Sequence, residues 1–206
     1  MCFSAPASFV AGGALAGLGF ANKPKIIHPT DLPLAAIPFI FSVQQIIEGF
    51  VWMGEGASWQ IYFAYAFVII AFLFWPAVVP YAFYMQETSE RSRRQILYLI
   101  PLGLLVSGYL TFFLITNPLH FDSNCCNHIQ YYYNVFGEHY VMALYLFATV
   151  LPPLLSSSRW LNFFGLSLGI AYLVSFFLYF QGLFSVWCFF AAILSFLILM
   201  HFKERK

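Results

Sequence analysis

A chain of 206 residues that is 62% hydrophobic, 21% aromatic and only 8% charged lies far from soluble domains, in which about 25% of residues are charged. That balance excludes a soluble globular protein and points to an integral membrane protein built of apolar helices. The formal net charge of +1 says nothing about partners, but the distribution of the charges does.

Ahead of the first apolar run, Met1-Cys2-Phe3-Ser4-Ala5 contains no Lys or Arg. The basic leader of a secretory signal peptide is therefore missing, and the first apolar segment is expected to stay in the mature protein. Cutting the sequence at its polar and Gly/Pro interruptions predicts seven membrane-spanning helices, at 5–21, 32–54, 60–84, 95–116, 139–157, 161–181 and 183–202. Each has the roughly 17 to 25 residues that cross a hydrocarbon core of about 30 Å. The expected fold is all-α, a single polytopic seven-transmembrane-helix domain over 1–206.

Orientation follows from the basic residues. Lys23 and Lys25 fall between spans one and two, Arg91, Arg93 and Arg94 between three and four, Arg159 between five and six, and Lys203, Arg205 and Lys206 after seven. With seven spans, all nine lie on one side. Lys and Arg favour the cytoplasmic side, so the N-terminus is expected outside and the C-terminus in the cytoplasm.

Gly13 with Gly17, and Gly165 with Gly169, are small-xxx-small pairs of the kind that lets helices approach closely. Pro76, Pro80, Pro101 and Pro152-Pro153 are expected to kink spans three, four and five. The outer connection 117–138 exceeds the usual loop length and is expected to be functional or to fold as a lid. Its Tyr131-Tyr132-Tyr133 run suits the headgroup layer.

The polar residues of span two stand out most. Gln44 and Gln45 lie four and three residues before Glu48, and Trp52 lies four after, so all four share one helical face. An ionisable group inside a span costs a few kcal/mol unless it is paired, neutralised or wetted. That face is expected to look into the bundle, either as structural hydrogen-bonding glue or as a functional site. Glu48 lies about 9 Å below the outer end of its span at 1.5 Å per residue. Trp187 and Cys188 in span seven fall at a similar depth, and His139 opens span five at the outer surface.

Cys2, Cys125 and Cys126 also face the outer side in this topology, which suggests a disulfide from the loop to Cys2 or Cys188. A bond between the adjacent Cys125 and Cys126 is disfavoured by their short Cα separation. His120, Cys125, Cys126 and His128 form a mixed donor set compatible with zinc or copper, though at no standard finger spacing. Removal of Met1 would make Cys2 an N-terminal nucleophile whose own amine acts as base.

Met1-Cys2-Phe3-Ser4-Ala5, the stretch Leu32 to Pro38, and Gln44-Gln45-x-x-Glu48-Gly49-Phe50-Val51-Trp52 recur together with Val186-Trp187-Cys188-Phe189, Ala191-Ala192 and Ser195. In these motifs the chain resembles a family of uncharacterised bacterial multi-span membrane proteins, catalogued as a domain of unknown function. The resemblance implies a shared membrane fold and a place in the bacterial inner membrane, and supplies no activity. Members often carry His where this chain has Gln44, which weakens a metal site there.

These readings converge on a polar pocket opening to the outer face, built from Glu48, Gln44, Gln45, His139 and Cys188, with Trp52 and Trp187 beside it. One function it suits is an enzyme acting on a lipid or acyl substrate, with Glu48 and His139 as acid and base and Cys188 or Cys2 as nucleophile. The alternatives are a non-enzymatic sensor or carrier of a small ligand or ion, and a metal-binding protein. Membrane lipids are the expected partners, and nucleic acid is not.

Overall fold

The computed structural model describes residues 4–22, 28–122 and 128–204. Seven long helices dominate it: α1 (Ala5–Asn22), α2 (Leu32–Met53), α3 (Gln60–Gln86), α4 (Glu90–Thr116), α5 (Glu138–Leu155), α6 (Arg159–Leu178) and α7 (Phe180–Glu204). Among the described residues α2 to α7 are long and apolar enough to cross a membrane, and α1 is a shorter apolar helix over Ala5–Phe20. Large apolar side chains point away from the bundle, among them Leu105, Ile115 and Phe177, which are 72%, 79% and 76% exposed. Such faces are stable against acyl chains and costly against water, so the architecture is that of a multi-pass membrane protein.

The predicted spans match the helices closely except at α4. That helix begins at Glu90, five residues before the predicted start, because Arg91, Arg93 and Arg94 extend it as a polar first segment ahead of the apolar part. A break at Tyr98 separates the two parts, three residues before Pro101, whose missing N–H and bulky ring disrupt the preceding turn. In α3 the segment Ile69–Phe74 is π-helical and runs directly into Trp75-Pro76. Backbone carbonyls released by this irregularity find side-chain donors: Tyr145 Oη donates to Ala71 O at 2.5 Å and Ser107 Oγ to Leu73 O at 2.6 Å. In a bilayer such carbonyls would otherwise have no partner.

Glycines set two close approaches. A Cβ on Gly103 would lie 1.8 Å from the Pro76 carbonyl oxygen, so α4 presses directly on the proline segment of α3. Gly165 packs against Leu154 and Gly169 against Val150, so this small-xxx-small pair does serve helix packing, at the α5–α6 contact. At the α1–α2 contact the motif is misread, because Gly13 and Gly17 have open space beside them. Gly12 carries the contact, against Ile46 and with its carbonyl accepting from Ser42 Oγ at 2.7 Å.

The connection after α4 is folded. Strand β1 (His120–Asp122) pairs antiparallel with β2 (Gln130–Tyr132), with Phe121 opposite Tyr131. This hairpin is tied to the bundle by Leu119 N donating to Tyr65 Oη at 3.2 Å and Gln130 Nε2 to Gln181 Oε1 at 3.0 Å. Only the middle residue of the tyrosine run is exposed; Tyr131 and Tyr133 are buried. The alternation of β2, continued one residue past its end, puts both on the inward face, which corrects the expectation that the whole run lies in the headgroup layer. At the opposite end the α3–α4 and α5–α6 turns meet the end of α7 through Glu87, Ser156–Ser158 and His201. The two ends are called the hairpin end and the serine end below.

Candidate functional site

Gln44, Gln45 and Glu48 are all buried and lie together on the inward face of α2, as their spacing predicts. Their partners come from other helices. Ser185 Oγ of α7 donates to Glu48 Oε1 at 2.5 Å, Gln45 Nε2 to Glu48 Oε2 at 3.3 Å, and Trp75 Nε1 of α3 to Gln44 Oε1 at 2.8 Å. The Trp75 ring stacks on Phe41 with centroids 4.2 Å apart. Cys188, one helical turn after Ser185, lies against the Gln44 amide and is a buried free thiol. Three helices thus converge on one polar centre within an apolar core.

Above this centre stands the hairpin. Tyr131 stacks on Phe67 of α3, with centroids 4.6 Å apart and planes 15° apart, a contact worth about 1 kcal/mol beyond its burial. Burial pushes its hydroxyl well above the ordinary phenol range, and the adjacent Glu48 and Cys188 push it the same way. Tyr133 is raised as well, by burial. Both phenols therefore stay protonated and act as donors. Neither hydroxyl has a partner among the described residues, and both residues line a cavity of about 560 Å³. Phe72, Tyr145 and Phe184 contribute aromatic wall, and Glu138 and Asn117 add polar groups. Tyr131 therefore belongs both to the cavity lining and to the surroundings of Glu48.

The other expected site residues fall into different places. His139 heads α5 beside Glu138 but is exposed, and it is not among the hydrogen-bond partners of Glu48. Trp187 is buried and donates to Leu168 O at 3.0 Å, packing edge-on to Tyr145 and Tyr172. Trp52 is half-buried, and its indole N–H has no acceptor among the described residues. The space beside Cys188 is an apolar gap of about 30 Å³, little more than one water molecule needs.

Cys2, Cys125 and Cys126 lie outside the described residues, and with them the proposed nucleophile and most of the disulfide reading. Of the expected pairings, those to Cys188 are not formed, because its thiol is free in the core. His120 is exposed and stacked on Tyr132. His128 is buried against Gly182 and edge-on to Tyr179. No group of three metal-ligating side chains occurs among the described residues.

Sequence reasoning missed Ser185, Trp75, Tyr131 and Tyr133. Ser185 had a usable signal, since it lies three residues before Cys188 and so shares its helical face. The tyrosines had one in strand alternation, had the loop been read as a hairpin. Trp75 had none.

A helical bundle with lipid-facing flanks and a buried polar centre defines the class, a multi-pass membrane protein. The chain belongs to the Family of unknown function (DUF6629), which matches it over residues 1–206. No curated protein and no solved structure matches it.

Proposed function

We propose that this is a seven-span protein of the bacterial cytoplasmic membrane, N-terminus outside and C-terminus inside, that binds a small amphipathic ligand in the hairpin-end cavity. The described basic residues support the orientation: Arg91, Arg93 and Arg94 open α4 and Arg159 opens α6, while Lys203 closes α7, all at the serine end. Positive charge concentrated there favours the cytoplasm, which leaves the cavity on the outer side. As a membrane-embedded site it would serve a sensor or carrier.

The observation that carries the reading is the pair of buried, unpartnered hydroxyls of Tyr131 and Tyr133 on an aromatic cavity of about 560 Å³. Two fixed donors on an apolar wall suit a ligand with an acceptor head group, such as a carboxylate, and a hydrocarbon or ring body. Glu48 with Gln44, Gln45 and Ser185 would anchor the cavity floor and hold Tyr131 in position, with Trp52 and Trp187 as flanking supports. Burial of Cys188 beside so small an apolar gap, together with the exposure of His139, favours binding over nucleophilic chemistry here.

The test is titration of the nanodisc-embedded protein with a brominated fatty acid, read by tryptophan quenching. Wild type should bind saturably, and Tyr131→Phe with Tyr133→Phe should weaken binding by about tenfold, the worth of one to two net hydrogen bonds. Quenching that is non-saturable, or identical in the double variant, would remove the cavity from the proposal.

A further inference from the structure

The cavity at the hairpin end changes character from its buried part to its mouth. Tyr131 and Tyr133 line it at 9% exposure each, with hydroxyls that have no partner among the described residues. Phe136, at 81% exposure, and the exposed Glu138 line the mouth. The backbone turns sharply between these two at Gly137, whose φ of +67° lies in the left-handed region that suits glycine. Tyr109 Oη of α4 holds the turn from outside by donating to the Phe136 carbonyl at 2.9 Å. The charge around the cavity is one-sided. None of its described lining residues is Lys, Arg or His, Glu138 is the one charged group among them, and a second carboxyl, Glu48, stands behind Tyr131. Among the described residues the ion pair is Arg159 with Glu204, at the serine end, so Glu138 has no cationic side chain within pairing distance.

A head group with only negative charge would meet the tyrosine donors but no cation to balance it, and charges away from bulk water feel one another more strongly. A head group that brings its own cation avoids that cost. The mouth suits one, because a carboxylate and an accessible aromatic ring together attract an ammonium group. Resting on the cavity reading above, we infer that the ligand is a single-chain phospholipid with an ammonium head group. Its phosphate accepts from Tyr131 and Tyr133, and its ammonium lies at the mouth between Glu138 and Phe136. In such a lipid the order is hydrocarbon chain, phosphate, ammonium. The cavity has the same order from buried to exposed: the aromatic wall of Phe72 and Tyr145, the two hydroxyls, then the carboxylate. Glu138 also sits in the first turn of α5, where a carboxylate complements the helix N-terminus whether or not a ligand is bound. The two roles differ in what they predict, since only ligand binding makes Glu138 a determinant of head-group preference.

The experiment is tryptophan quenching of the full chain in micelles of a maltoside detergent, which offers the site neither phosphate nor ammonium. Three probes carry the same brominated chain: lysophosphatidylcholine, lysophosphatidylglycerol, which keeps the phosphate and lacks the ammonium, and the free fatty acid. Wild type is expected to bind the choline lipid about tenfold more tightly than the glycerol lipid, the worth of one cation held by a carboxylate and a ring. Glu138→Gln should cut that ratio to about twofold or less, and Phe136→Leu should lower it about threefold. A ratio of affinities does not depend on how much of a variant folds, and the wild-type ratio needs no variant. Equal affinity for the two lysolipids in wild type, or a ratio that survives Glu138→Gln, would overturn the inference, and saturable binding of the fatty acid in that case would leave the cavity reading standing. Failure of all three probes to bind saturably would overturn both.

Discussion

Glu48 in mid-bundle and Glu87 at the serine end are both buried, at 2% and 7% exposure, yet they are satisfied in different ways. Glu48 is held by two side chains, one from its own helix and one from α7. Glu87 accepts from the backbone N–H groups of Thr88, Ser89 and Ser157 and from the hydroxyls of Ser156 and Ser157. Burial pushes the Glu87 carboxyl up, but hydrogen bonds from Ser157, Ser89 and Ser156 outweigh it and hold it below its ordinary value. The difference is one of location. A helix end supplies unused backbone donors and a helix middle supplies none, so a mid-span carboxyl depends on whatever side chains its neighbours offer.

The largest effect is expected where the donors are most numerous. Glu87→Ala would strand five donors and loosen the junction of three segments, and a loss of about 3 kcal/mol or more is expected in denaturant unfolding of the detergent-solubilised protein, since each buried orphan costs about 1 to 3 kcal/mol. A loss under about 1 kcal/mol would mean that water replaces the carboxylate, and that the serine end is wetter than its burial indicates.

Glu48 should respond more weakly and in a graded way. Glu48→Leu leaves Ser185 and Gln45 without their acceptor, at about 1 to 3 kcal/mol, whereas Glu48→Gln retains an acceptor oxygen and should cost less than about 1 kcal/mol in the same assay. Equal losses for the two variants would show that negative charge, rather than hydrogen-bond capacity, is what α2 supplies. The contrast with Glu87 would then narrow.

The smallest effect is the acid limb of stability. Because the folded value of Glu87 is lowered, the unfolded chain binds more protons than the folded one between the two values. Its contribution is therefore complete above the ordinary glutamate value of 4.5 and is lost as pH falls from there through the folded value. Melting temperature followed downward from pH 6 should fall less steeply in Glu87→Gln than in wild type. Parallel acid limbs would show that Glu87 does not titrate differently on folding.

Composition and apolar run length alone determined the membrane class, the helical content and, within a few residues, the helix limits, because a bilayer imposes its thickness and its lack of hydrogen-bonding water on each span separately. The polar face of α2 was legible for the same reason, since Gln44, Gln45 and Glu48 are costly in that setting wherever they point. Tertiary structure decided everything that depends on how one helix is turned toward another. It paired Glu48 with Ser185 and Gln44 with Trp75, and put Gly12 rather than Gly13 at the α1–α2 contact. It also turned Tyr131 and Tyr133 of the hairpin segment inward and gathered Gln86, Glu87, Ser158 and His201 from three segments distant in sequence. Lipid selects the length and apolarity of a span, whereas its rotation about its own axis is set by side-chain packing and hydrogen bonds with segments remote in sequence, and those are not written in any one segment.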